Sequence, residues 1–161
     1  MSTIRVAWGS ANGPTAMSSF DAALAEAGVH NYNLVTLSSV IPADARVERV
    51  DTAPDLGPTG NALYAVVGRE TLIPGIDGEA CAGLGWIRSE SGRGLFYEAS
   101  GTDPEAVERA VRSGLQRGTE LREWTFAAEP EIVVESVPTH DAEHATAVVV
   151  AAYGQSEPLL E

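Results

Sequence analysis

The stretch "NYNLVTLSSVIPAD", residues 31–44, decides how this chain is read. Leu34, Val35 and Leu37 are strand formers, so "NLVTL" (33–37) predicts a strand. The strand runs into Ser38-Ser39 and is stopped by Ile41-Pro42. Serines at a strand end ordinarily do turn chemistry, because their hydroxyls bond nearby backbone groups. Asn33 falls on the same side of the strand as Val35, and an inward amide there needs a hydrogen-bond partner.

Working outward, the 161 residues, 44% hydrophobic and 20% charged, suit one domain spanning 1–161 with a real core. No apolar run is long enough to span a membrane. The opening "MSTIRVAWGSANG" lacks a basic segment followed by an apolar one, so no secretory leader is expected. Cys81, the single cysteine, cannot form an intrachain disulfide. A cytoplasmic protein is the expectation.

The formal net charge of −13 argues against nucleic acid and anionic membrane as partners, since both need a basic footprint. An acidic surface attracts cationic substrates, and it also simply keeps a protein soluble. All ten basic side chains are arginine, and there is no lysine. That excludes an internal lysine Schiff base to pyridoxal phosphate (PLP). It also removes the lysine of a phosphate-binding loop, so "GSANGPT" (9–15) is not one. Any carbonyl chemistry must take its electrophile from a diffusible cofactor or from the polypeptide itself.

Along the chain, "IRVAW" (4–8) predicts a strand and "GSANGPT" a loop. "SSFDAALAEAG" (18–28) predicts a helix with Ser18 at the N-cap, Asp21 three residues on and Gly28 as the stop. Residues 42–60, rich in proline and charge, read as a surface excursion. Segments 61–68, 78–88 and 93–101 read as strands, the first two buried on both faces. Residues 102–121 predict a second helix, capped by Thr102 or Asp103, with Val107, Ala110, Val111 and Leu115 as its apolar stripe. "EIVVESV" and "HATAVVVAAYG" close the chain as strands. Two helices against about six strands imply an α+β sandwich.

Three other features could carry chemistry. "HDAEH" (140–144) fits a zinc-binding H-x-x-E-H pattern, which needs a helix and a third ligand; Pro138 upstream and the β-rich "ATAVVV" downstream favour a polar turn, and no metal is expected. Glu98 interrupts the apolar "GLFYEAS" and faces away from Leu95 and Tyr97. It is either a solvent-facing strand residue or a half-buried carboxyl tuned to deliver a proton. Asp21 either closes a capping box or waits for a cationic group.

In order along the chain, "GS…G.T" (9–15), "FDAALAEAG" (20–28), "N.NLV..SSVIP" (31–42) and "GLFYE" (94–98) resemble the pyruvoyl-dependent arginine decarboxylases. The resemblance implies a four-layer αββα sandwich and a homotrimer with active sites between subunits. It implies self-cleavage between Ser38 and Ser39 into a small β chain, 1–38, and a large α chain, 39–161. Ser39 then becomes the pyruvoyl group, with Asn33 assisting.

The resemblance further implies decarboxylation of L-arginine to agmatine and CO2 through a Schiff base with that group. Glu98 is then the proton donor, and Asp21 binds the guanidinium of the small cationic amino-acid substrate. His30 and Tyr32 depart from the family pattern beside the expected pocket. They motivate two alternatives: a decarboxylase for another basic amino acid, and a non-processing acidic trimeric binding protein.

Overall fold

In the computed structural model residues 2–161 are described, and they form nine strands and two helices in one mixed α+β unit. The strands are β1 (Thr3–Gly13), β2 (Asn33–Thr36), β3 (Val40–Ile41), β4 (Arg46–Asp51), β5 (Ala62–Leu72), β6 (Glu79–Arg88), β7 (Gly94–Gly101), β8 (Glu131–Pro138) and β9 (His144–Tyr153). The helices are α1 (Ala16–Ala27) and α2 (Pro104–Glu120). One sheet has the order β2-β5-β9-β1-β4 and the other β3-β7-β6-β8.

Between the sheets lies the largest apolar cluster, with Ile4, Val6, Val66, Val149 and Ala151 from one side and Leu84, Trp86, Phe96 and Val133 from the other. The opposite face of the first sheet packs Ala7, Val148, Val150 and Ala152 against Ala23, Leu24 and Ala27 of α1. On the outer face of the second sheet, Ile87 and Leu95 meet Val111 and Leu115 of α2. Strand β9 therefore buries alternate residues on both faces. Each of its valines is fully buried, and each such burial contributes about 1.5–3 kcal/mol.

Small residues set the helix distances. A Cβ at Gly9 would collide with the Ala23 carbonyl of α1, and one at Gly83 would meet Val107 of α2 at 2.7 Å. Gly114 takes the Tyr97 ring directly against its Cα.

The sequence reading is corrected at several points. Strand β1 runs on through "GSANG": Ser10, Ala11 and Asn12 pair with Ala147, Thr146 and Ala145, and the small residues there let α1 approach. Helix α1 starts earlier than expected, with Thr15 as N-cap in a capping box with Ser18. Asp21 thus has no capping role and is exposed. Gly28 is the stop, at φ 81°. The excursion at 42–60 contains β4, which pairs parallel with β1; its charged residues disguise an edge strand. In α2, Ala110 is exposed and Gly114 completes the buried stripe.

Candidate active site

Ser38 and Ser39 lie where the chain leaves one sheet for the other. Thr36 ends β2 at the edge of the first sheet, and Val40 begins β3 at the edge of the second. The Leu37 N–H donates to the Ala65 carbonyl at 2.9 Å, and Ile41 is fully buried. Both flanks of the serine pair are thereby fixed.

Between them the backbone makes a tight turn. The Val40 N–H donates to the Ser38 carbonyl at 2.9 Å, an i→i+2 bond. Ser39 keeps a negative φ, so this is the inverse γ-turn common at strand ends. The Ser39 carbonyl accepts from the Phe96 N–H at 2.8 Å, and the Val40 carbonyl accepts from the Tyr153 hydroxyl at 2.7 Å. Three successive carbonyls are therefore held by three different donors.

Glu98 meets this turn from β7. It pairs with Leu84, so its side chain is on the face turned toward the other sheet and away from Leu95 and Tyr97, as alternation predicts. It is exposed rather than half-buried, because β7 lies next to the two-residue edge strand β3. Its Oε2 accepts from the Ser39 hydroxyl at 3.2 Å. Across the gap stands Gly68 of β5, where a Cβ would lie 3.3 Å from the Glu98 Cβ.

On the other side of the serines a cavity of about 400 Å³ opens between β3, β7 and α2. Leu95, Tyr97 and Leu115 give it apolar walls, and Arg117 and Arg122 stand at its rim.

Two of the sequence-derived residues lie elsewhere. Asn33 sits at the far end of β2, exposed, its amide donating to the Gly60 carbonyl at 2.9 Å. Its partner is a loop carbonyl rather than a buried group. Six residues of largely extended chain, at about 3.3 Å each, separate it from Ser39. It lines a second cavity, of about 500 Å³, with Phe20, Leu24, Tyr32 and Arg69.

Asp21 is exposed on α1, next to Phe20, and makes no ion pair among the described residues. The Tyr32 hydroxyl accepts from the Leu56 N–H, fixing the loop beside this second cavity. His30 is an exposed turn residue.

"HDAEH" forms the turn between β8 and β9, with His144 already in the strand, so the two histidines do not share a helix face. Among the described residues no cluster of His, Cys, Asp or Glu is arranged to hold a metal ion. Tyr153, Gly68 and the Val40 N–H were missed by the sequence reading. Only the end position of Tyr153 in the last strand hints at any of them.

Comparison with known proteins bears directly on this arrangement. Residues 3–158 match the family model for pyruvoyl-dependent arginine decarboxylase. A pyruvoyl-dependent arginine decarboxylase of Halobacterium salinarum is 51% identical over 163 residues, covering 100% of this chain and 99% of its own. The enzymes so named from Thermococcus sibiricus and Pyrococcus furiosus are 38% and 35% identical, over 80% and 89% of this chain and 84% and 89% of their own.

Proposed function

The chain belongs to the pyruvoyl-dependent arginine decarboxylases, and we propose that it generates its own catalytic carbonyl by breaking its backbone between Ser38 and Ser39. The enzyme is an arginine decarboxylase that depends on a pyruvoyl group rather than on PLP or a metal. Cleavage divides it into a chain of 1–38 and a chain of 39–161, the second beginning with the pyruvoyl group made from Ser39.

The observation that carries this reading is the bond from the Ser39 hydroxyl to Glu98 at 3.2 Å. Serine is a weak nucleophile until a neighbouring base takes its proton. Here a carboxylate is in reach of that proton, and the carbonyl to be attacked belongs to the preceding residue. The residues at this turn thus fit the group they are to produce.

When formed, the group supplies a ketone for the amine of L-arginine and an electron sink while CO2 departs. Glu98 then holds the proton to be returned to the substrate carbon, which gives agmatine. Asp21 pairs with the guanidinium, a planar fork that a carboxylate meets with two bonds. Asn33 keeps the assisting role in forming the group that the family resemblance gives it. Leu95 and Tyr97, on the face opposite Glu98, give the Ser39 cavity its apolar wall.

Assembly follows from where these residues lie. Asn33 borders a different cavity from Ser39, and Asp21 follows Phe20 of that second cavity on α1, so a complete site requires residues from a second copy. Val40, 46% exposed, and Leu121, 83% exposed, ring the Ser39 cavity and are suited to being covered by that copy. The arrangement proposed is a homotrimer of αββα units, its layer order supported by the three apolar clusters. Of the two helices, neither is long and apolar enough to cross a membrane, and the cytoplasm is the proposed location.

Intact-mass spectrometry of the purified protein tests the reading. Two polypeptides are expected, whose combined mass reflects one water gained and one ammonia lost, the larger without a free terminal amine. An active sample made of one unbroken chain overturns it.

A further inference from the structure

The turn that carries the scissile bond is exposed at a sheet edge, yet self-cleavage needs it held still. β3 is only two residues long, and Val40 is 46% exposed. Its side chain contributes little to fixing its backbone. Two hydrogen bonds from other strands do that instead.

A peptide group is a rigid plane, so holding one end of it orients the other. The plane between Ser39 and Val40 is held at the Ser39 carbonyl by the Phe96 N–H, and its other end is the Val40 N–H, which points at the Ser38 carbonyl. The next plane is held at the Val40 carbonyl by Tyr153. With both planes fixed, the torsions at Val40 are fixed too.

We infer that Tyr153 is a positioning residue for the cleavage: its hydroxyl locks the Val40 backbone so that the Val40 N–H serves as oxyanion donor to the Ser38 carbonyl. This rests on the cleavage reading given above. Tyr153 is well suited as an anchor. It ends β9, a strand buried on both faces, and its ring packs against Phe96 at 6.2 Å. Burial pushes its phenol up to about 12, so it remains a donor across any ordinary assay pH.

The step balances within the chain. Ser39 Oγ bonds to the Ser38 carbonyl carbon as its proton passes to Glu98. Charge collects on the Ser38 oxygen, where the Val40 N–H meets it. The bond from that carbon to the Ser39 nitrogen then breaks, and the nitrogen takes up the proton. An ester remains, with a free amine on residue 39. Loss of the residue 39 α-proton then expels Ser38 as a carboxylate, and hydrolysis of the resulting enamine releases ammonia.

Tyr153→Phe keeps the ring and removes only the donor. Cleavage of freshly made chain, followed by intact mass, should slow about tenfold or more. Hydroxylamine should release no 1–38 fragment from the uncleaved pool, because ester formation itself is impaired. Turnover per ketone-bearing chain in the fraction that does cleave should match the unaltered enzyme.

A second variant replaces the amide between residues 39 and 40 by an ester, deleting the Val40 N–H alone. It should slow cleavage by about 100-fold, the range known for loss of an oxyanion donor. Cleavage of either variant at the normal rate overturns the inference. So does accumulation of hydroxylamine-sensitive ester in Tyr153→Phe, or a parallel fall in its turnover per ketone, which marks general loosening. If the unaltered chain never cleaves, the cleavage reading itself fails, and that outcome is visible separately.

Discussion

The two ends of the segment from Asn33 to Ile41 differ in how far one protomer completes them. At the serine end, the nucleophile, a carboxylate in reach of its proton and three backbone-fixing bonds all come from the same chain. At the asparagine end, Asn33 reaches only a loop carbonyl, and Asp21 on the neighbouring helix faces solvent. The difference matches the chemistry assigned to each. On the proposed reading, breaking one's own backbone needs nothing from outside, whereas the grip on substrate is completed by another copy.

Substitutions at the serine end should have the largest effects. Ser39→Ala removes the nucleophile and the source of the ketone together, so the chain should stay intact by mass and show no decarboxylation. Glu98→Gln separates the two tasks of that side chain. Its amide oxygen still accepts the Ser39 hydroxyl but cannot take the proton, so cleavage should be slowed while still proceeding. In the processed fraction, with no proton to return, turnover should fall about 10²-fold or more. Normal turnover in this variant removes Glu98 from the role of donor.

At the other end, Asp21→Asn should leave cleavage untouched and weaken arginine binding by about tenfold, read as a rise in KM. If it blocks cleavage instead, the two ends are not independent and the comparison breaks. The smallest expected effect lies away from both ends. Burial chiefly, aided by Glu26 and Asp51, holds the Glu135 carboxyl above its usual range, against bonds from Ser136 and Ser10. A raised carboxyl favours the fold at low pH and loses that contribution as pH rises through its own titration. Glu135→Gln should therefore raise Tm by about 2 °C near neutral pH, with the gain vanishing in acid and cleavage unchanged.

Much of the fold was legible in advance because its signals are local. The apolar periodicity of α2 apart from Ala110, the alternation around Glu98 and the small-residue strands β5 and β6 read correctly from neighbours in sequence. What failed to show was non-local. "GSANG" has loop composition but is drawn into β1 by pairing with β9, and "RVERVD" is charged yet becomes an edge strand because β1 has an open side. At the site, Ser39 and Glu98 were marked by motif and by a break in an apolar run. Tyr153 carries no such mark: 113 residues separate it from Val40, and a hydroxyl at a strand end looks ordinary until its partner is known.

Composition alone settled one thing about this protein: without a lysine, no pyridoxal anchor is available, and a carbonyl must have another source. The serine pair, its proline stop and the order of the motifs pointed to that source. Which groups hold the turn, and which residues one protomer leaves unpaired, only the packed chain decided. Hydrogen bonds across two sheets depend on how strands with no sequence proximity are stacked, and that is set by burial of the whole core rather than by any single stretch of residues.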